Sequence, residues 1–301
     1  MRASRLLPAT GALAVTTAAY AIGIEPRWFA LRRLTVPVLR PRATRSLRLL
    51  HLSDLHLQPR HRPLRRFLEH CEAEDPDVVV VTGDILDHPD VVGPAVDLLR
   101  DLRRDRPGVF VLGSHDRYCS GLKNPFRYLR RRRAIEPKGS PQDTALLVEG
   151  LKGAGWHFAD NRRLRLDSPA GPIEVLGQGD AHIRADRPEA VDWAPPGDDV
   201  ALALGVAHSP YLRVLDRLDR AGLDLAVAGH THGGQVRVPG LGALVNNCDL
   251  PLSQTRGLSG YGAGLTLHVS GGLGASRHSP FRFACRPEAT LLDLVPRPTE
   301  L

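Results

Sequence analysis

The chain has 301 residues, 42% of them apolar, a content ordinary for a globular protein and enough for one large domain or two small ones. Its formal charge of +7 comes almost wholly from arginine, since Lys123, Lys138 and Lys152 are the only lysines. That balance suits anionic partners such as phosphate esters, lipid head groups or nucleic acid, and an arginine-rich codon usage gives the same numbers. The cysteines, Cys71, Cys119, Cys248 and Cys285, are widely spaced without a Cys-x-x-Cys, which indicates neither a zinc ribbon nor a disulfide framework.

In chain order, a basic start (Arg2, Arg5) precedes residues 6–24, which carry no charge. Residues 1–24 are expected to be a membrane anchor or a signal segment, the second because Ala19-Tyr-Ala21 resembles a processing site. Arginine is denser after the segment than before it, so the positive-inside rule favours the cytoplasmic face over export for the domain that follows. Residues 25–46, rich in Arg and Pro, read as a linker with one edge strand at 34–39. From Leu47 onward, apolar runs alternate with amphipathic stretches at 64–74, 91–104, 144–154 and 211–221, the βαβ pattern of a layered α/β fold. A polar, basic excursion at 117–143 contains the arginine run ending at Arg133. It reads as a solvated charge run or as a lid, with the 127–133 stretch a candidate membrane contact. In the last third, short runs at 235–238, 265–270 and 289–295 lie between glycine-rich turns and suggest a more antiparallel sheet. One catalytic domain at 47–297 is the economical reading.

Five of the apolar runs stop at an Asp or a His. Residues 47–52 lead into Asp54-Leu-His56, and 78–81 into Gly83-Asp84. Residues 109–112 lead into Gly113-Ser-His-Asp116, 201–207 into His208, and 223–228 into Gly229-His-Thr-His232. Buried parallel strands read as continuous apolar runs, and open α/β sheets carry their sites at the carboxyl ends of such strands. Each motif is weak alone, but five strand ends delivering metal-type ligands in order mark a catalytic metal centre. Carboxylates can bridge two divalent ions and imidazoles complete mixed sites suited to Mn, Fe or Zn, which would activate a shared water as hydroxide for attack on phosphorus. His115, beside the ligand-type residues, is placed to protonate a leaving oxygen, and Asp116 to orient it.

These residues resemble the calcineurin-like metallophosphoesterase family over most of 47–270: Asp54-x-His56, Gly83-Asp84-x-x-Asp87, Gly113-Ser-His115-Asp116, His208, and Gly229-His-Thr-His232-Gly-Gly-Gln235. Within it the chain is similar to the membrane-associated bacterial branch, whose members begin with one hydrophobic segment. The resemblance implies a four-layer α/β sandwich of two β-sheets flanked by helices. It also implies two divalent metal ions, one held by Asp54, His56 and His232, the other by His208 and His230, with Asp84 bridging. Where the family has an asparagine ligand, this chain has Ser114, a poorer ligand that leaves the second site underfilled. Asp87 matches the family pattern and is expected behind the ligands. Asp180-Ala-His182 either lines the site or is a polar turn, and Asn246-Asn-Cys248 reads as a loop.

The function so implied is a metal-dependent phosphoesterase acting on phosphodiesters or phosphomonoesters, with the N-terminal segment placing it at a membrane surface. A nuclease of the same fold is the alternative within enzymes, and nucleic acid is not favoured because aromatics make up only 5% of the chain. A membrane-anchored binding protein with a degenerate metal site is the alternative from another class, motivated by Ser114.

Overall fold

Valine- and leucine-rich runs become parallel strands, and the amphipathic stretches between them become the helices that cover those strands. The structure is a computed structural model that describes residues 15–120, 139–277 and 279–298. The arginine-rich 127–133 stretch and the first part of the charge-free N-terminal segment lie outside the described residues. The strands are β1 (Ala30–Leu39), β2 (Leu47–Leu52), β3 (Val78–Thr82), β4 (Gly108–Val111), β5 (Tyr118–Ser120), β6 (Gly139–Pro141), β7 (Trp156–Phe158) and β8 (Arg162–Leu166). They continue as β9 (Ile173–Gln178), β10 (Leu202–Ala207), β11 (Leu225–Ala228), β12 (Arg237–Val238), β13 (Gly242–Ala243), β14 (Gly257–Tyr261), β15 (Leu265–Val269) and β16 (Glu288–Pro296). Four helices matter to the layers: α1 (Arg62–Glu72), α2 (Val92–Arg103), α3 (Thr144–Gly153) and α4 (Leu212–Arg220).

Two six-stranded sheets result, ordered β1-β16-β2-β3-β4-β7 and β14-β15-β11-β10-β9-β8. Strand alternation explains how they stack. Val78 and Val80 point into the core between the sheets, where they join Val175, Leu204 and Val227 of the second sheet. Val79 and Val81 point the other way, into a core shared with α1, α2 and α3. The outer face of the second sheet is covered by α4, whose Val214, Leu215 and Leu218 are buried. In α1 the buried residues are Leu64, Leu68 and Cys71, a spacing of four and three that sets one stripe against the sheet. Each buried Leu or Val contributes about 1.5–3 kcal/mol, so the three apolar layers fix the sheets face to face and bring their strand ends together. The expected layering of helix, sheet, sheet and helix is what the chain forms.

Two expectations are refined. The 25–46 segment is not a linker: Ala30–Leu39 is a ten-residue strand paired in parallel with β16 along the edge of the first sheet. The last third is more antiparallel, as expected, but only the short β12–β13 hairpin stands apart, and its longer strands join the two large sheets. β15 runs parallel to β11 and antiparallel to β14, while β16 inserts between β1 and β2, antiparallel to β2. Among the described residues no helix is long and apolar enough to cross a membrane. The part of the N-terminal segment that is described ends in a helical turn, Tyr20–Ile24, followed by a second turn at Glu25–Arg27.

Candidate metal centre

Each candidate ligand stands one to four residues past a strand end, where the ladder stops and the backbone can turn. Asp54, His56, Asp84, His230 and His232 all have positive φ, between 44° and 67°. Side chains rarely adopt this left-handed region, at a cost of order 1–3 kcal/mol per residue, and its clustering at one place marks a functional site. Backbone hydrogen bonds hold the strained loops against one another: Asp54 N–H donates to Gly83 O at 3.0 Å, His56 N–H to Asp84 O at 2.9 Å, and Gly229 N–H to His208 O at 2.9 Å. The loops approach so closely that a β-carbon on Gly113 would collide with the Asp84 carboxylate, and one on Gly229 with the Ser53 hydroxyl.

Asp84 lies at the middle. Its Oδ2 is 3.6 Å from His56 Nε2 on one side and 3.6 Å from His208 Nε2 on the other, and its Oδ1 accepts the His115 N–H at 2.8 Å. His232 Nε2 stands 3.5 Å from Asp54 Oδ1 and 3.3 Å from His56 Nε2. Among the described residues, three groups have ligand atoms within 4.8 Å of one another: Asp54 with His56 and His232, Asp54 with Asp84 and His208, and His56 with Asp84 and His115. All of these residues except His115 are fully buried.

The far side of each ring tells which nitrogen is free. His208 Nδ1 donates to the Thr82 carbonyl at 2.7 Å, so its Nε2 keeps a lone pair, and that buried Nε2 finds no hydrogen-bond partner among the described residues. His230 Nε2 faces the Asn247 carbonyl at 3.5 Å, which leaves Nδ1 as its acceptor nitrogen. His56 Nδ1 faces Asp87 Oδ1 at 3.7 Å, again leaving Nε2 toward Asp84. Outer partners of this kind fix tautomer and ring orientation in metal sites. The unpartnered His208 Nε2, with His56 Nε2 and His232 Nε2 facing Asp84 and Asp54, makes a buried mixed nitrogen and oxygen donor set that fits a divalent cation once the rings are neutral.

The electrostatics agree. Burial opposes ionisation of Asp84, but His208, His115 and His56 hold its carboxyl well below the usual carboxylate range. Asp87 behaves alike: burial works against its charge, and His115 and His56 outweigh it. Burial also disfavours the His208 imidazolium, yet Asp84, Asp180 and Asp54 raise its pKa to about 10. His232 is lowered to about 3, chiefly by burial, so the metal-free protein holds it neutral.

The structure revises one sequence-based assignment. Asp116 does not orient His115. Its Oδ1 accepts from Ile85 N–H at 2.7 Å and Leu86 N–H at 2.9 Å, and its Oδ2 from Gly113 N–H at 2.9 Å, so it ties the β3 and β4 loops together. The carboxylate beside His115 is Asp87, whose Oδ1 is 3.0 Å from His115 Nδ1. His115 was expected outside the ligand set, yet it lies close enough to His56 and Asp84 to belong to one group. His230, expected as a ligand, stands beside these groups, its ring 4.4 Å from that of His182 and 5.2 Å from that of His208. Ser114 is half-buried on the short turn that carries His115.

Asp180 and His182 lie behind His208 and His230, the His182 ring 4.4 Å from that of His230. Asp180 accepts from the His182 N–H at 2.9 Å and from the hydroxyl of Ser209, next to His208, while His182 Nδ1 meets Tyr211 Oη at 3.0 Å. Sequence reading missed Arg282, which is fully buried. Its guanidinium donates to the carbonyls of Gly271 and Gly272 at 2.8 and 3.1 Å and stands 3.3 Å from His232 Nδ1. No motif surrounds Arg282, and the carbonyls of Thr82 and Asn247 belong to the backbone, so no side-chain pattern announces them.

A family model described as calcineurin-like phosphoesterase matches residues 47–234. Phosphodiesterase YaeI of Escherichia coli is 29% identical over 299 residues, covering 97% of this chain and 98% of its own. Metallophosphoesterase YkoQ of Bacillus subtilis is 26% identical over 252 residues, covering 82% of this chain and 83% of its own. A bovine transmembrane protein with a metallophosphoesterase domain is 28% identical over 237 residues, 75% of this chain, which spans about half (50%) of that longer protein.

Proposed function

This chain belongs to the calcineurin-like phosphoesterase family and hydrolyses phosphoester bonds, and we propose that it cleaves phosphodiesters at two divalent ions bridged by Asp84, at a membrane surface. The observation that carries this reading is Asp84 Oδ2 standing 3.6 Å from both His56 Nε2 and His208 Nε2, with the second nitrogen of each ring facing an oxygen. Asp54, His56 and His232 would hold one ion, and His208 and His230 the other. When bound, such ions supply positive charge to the phosphoryl oxygens and lower the pKa of water, with Mn, Fe or Zn suited to the mixed donors.

The protein's own groups do the rest. His115 would hand a proton to the leaving oxygen, with the Asp87 carboxylate 3.0 Å from its Nδ1 orienting the ring. The Asp54 carboxylate, fixed by the Ser53 hydroxyl at 2.6 Å and the His230 N–H at 3.0 Å, cannot rotate away from His232. Thr82 and Asn247 carbonyls keep His208 and His230 in the tautomers that present a lone pair. A diester is favoured over a monoester by the name of the Escherichia coli relative, and the membrane surface by the charge-free 6–24 segment.

Metal analysis and bis-p-nitrophenyl phosphate hydrolysis of the full-length protein, wild type against Asp84→Asn, test the reading. Wild type should carry close to two ions per chain and turn over with added Mn. Asp84→Asn should lose both ions and essentially all activity, because neutralising the bridge removes the charge that offsets two cations. Unchanged metal content in that variant would refute the assignment.

A further inference from the structure

Large apolar side chains are exposed in two places that meet at one residue. The β12–β13 hairpin displays Val238, Leu241 and Leu244, with Leu241 at its glycine-flanked tip 74% exposed. The turns after the N-terminal apolar segment display Ile22, Ile24 and Trp28, the last two 58% and 52% exposed. Both are fastened to the stretch around Phe283. Arg237 N–H donates to Phe283 O at 2.9 Å, the Tyr20 ring meets the Phe283 ring edge-on at 6.4 Å, and Arg282 N–H donates to Ala21 O at 2.8 Å. Glu25, fully buried, accepts the N–H groups of Ala284 and Cys285. A cleft of about 760 Å³, lined by Leu241, Leu244, Leu252 and Ala284 among others, lies beneath the hairpin.

Arginines rim this apolar area. Arg27, Arg237 and Arg286 have no carboxylate within ion-pair distance among the described residues, and Arg286 lies 4.1 Å above the Trp28 ring. An aromatic edge with unpaired guanidinium groups beside exposed leucines is the arrangement that a phospholipid interface accommodates, with rings and cations at head-group depth and leucines among the acyl chains. The described end of the charge-free stretch, residues 20–24, lies in the same area. An apolar protein surface would leave the arginines without counter-ions, whereas an anionic bilayer supplies both acyl chains and charge.

We propose that the β12–β13 hairpin and residues 20–28 form a bilayer-docking surface, with Leu241 and Leu244 entering the acyl region and Arg27, Arg237 and Arg286 engaging anionic head groups. This deepens the membrane-surface reading above and rests on it. The hairpin begins five residues after His232, and Arg237 Nη1 donates to Gly233 O at 2.7 Å, so docking sets the metal centre beside the lipid head groups. The substrate is then a phosphoester carried at head-group level.

The test uses the full-length protein with Cys119→Ser and Leu241→Cys, labelled with an NBD dye; Cys71, Cys248 and Cys285 are buried. On vesicles of mixed phosphatidylcholine and phosphatidylglycerol, the dye emission should shift to the blue and be quenched by nitroxide lipids. A dye at Lys152→Cys, on α3, should do neither. Phosphatidylcholine alone should quench less. A dye at 241 that stays water-exposed on sedimenting vesicles overturns the proposal. So does one already shielded without vesicles and untouched by nitroxide lipid, which would place protein over the hairpin. Equal quenching on both vesicle types removes the arginines from the surface. Hydrolysis of bis-p-nitrophenyl phosphate by the labelled protein in detergent should match the unlabelled protein. A docking failure with that activity intact therefore leaves the hydrolase assignment standing.

Discussion

The two sheets contribute to the centre in different currencies of charge. Strand ends of the first sheet deliver carboxylates, Asp54, Asp84 and Asp87, interleaved with His56 and His115, whereas those of the second deliver mainly imidazoles, His208, His230 and His232, with Asp180 behind them. Within the first set Asp87 is held ionised by His115 and His56 of its own sheet, while Asp84 depends on His208 of the other sheet as well. In the second set burial lowers His232 to about 3 and His230 well below its ordinary value, and only His208, facing Asp84, is raised. Half a site on each sheet means that ion binding and sheet packing are coupled. An ion shared across the interface stabilises the face-to-face arrangement as well as the loops.

The largest test of this division separates the three residues of the first sheet that surround proton transfer. His115→Ala should keep its metal content and lose roughly 10²–10⁴-fold in kcat on substrates with poor leaving groups, with much less loss on activated aryl esters. Asp87→Asn should lose roughly 10–100-fold in the same pattern. Asp116→Asn should leave the leaving-group dependence unchanged and lower Tm instead, because that side chain fastens backbone N–H groups and never reaches His115. Equal losses across leaving-group pKa for His115→Ala would make it a ligand.

For the second sheet the discriminating variable is pH. His208 is raised to about 10 in the metal-free protein, so at neutral pH it carries a proton that an ion must displace. Mn affinity should therefore rise about tenfold per pH unit below that value, with about one proton released per chain from this group. Calorimetry in buffers of differing ionisation enthalpy reads the proton count, and a pH-independent affinity between pH 6 and 8 would contradict it.

Between the sheets, His51 and His268 meet Nδ1 to Nδ1 at 2.8 Å, fully buried. His51 is lowered well below its ordinary value and His268 to about 4, both chiefly by burial. Folded-state values below the unfolded 6.5 mean that the pair's stabilisation is complete above pH 6.5 and is lost as pH falls toward 4. Urea midpoints should drop over that window, by roughly 3 kcal/mol in stability, and His268→Gln should flatten the dependence.

The smallest effect belongs to Ser114. Ser114→Asn should tighten the weaker of two Mn sites by roughly 1–2 kcal/mol if an amide oxygen reaches the ion, leaving the stronger unchanged. Two equally tight sites in the wild type would show that the serine costs nothing.

Five strand ends were legible because buried parallel strands have a plain signature and because ligand-type side chains follow them directly. The same local logic misassigned Asp116. It adjoins His115 in sequence, but a short helical turn points neighbouring side chains apart, and Asp87, reached through the β3 loop, comes to the imidazole instead. Ala30–Leu39 was taken mostly as linker because its arginines and proline mask alternation, and edge strands tolerate both. Asp180 and His182 follow a strand end of the second sheet, so their place at the rim obeys the same rule as the ligands. Arg282 gave no signal, since its partners are carbonyls brought close only by the fold.

That first strand has a practical consequence for anyone trimming the chain. The family match begins at residue 47, yet β16 takes its outer partner from Ala30–Leu39. A chain cut at 47 would leave the whole outer edge of β16 open, a row of unpaired amide and carbonyl groups flanked by Leu291, Leu292 and Leu294, and would also remove Glu25 from the Ala284 and Cys285 N–H groups. Such an edge is a template for pairing with another copy. Trimmed protein should therefore emerge from expression as sticky oligomers, and inactivity in such a preparation would report on a missing strand rather than on the chemistry of the centre.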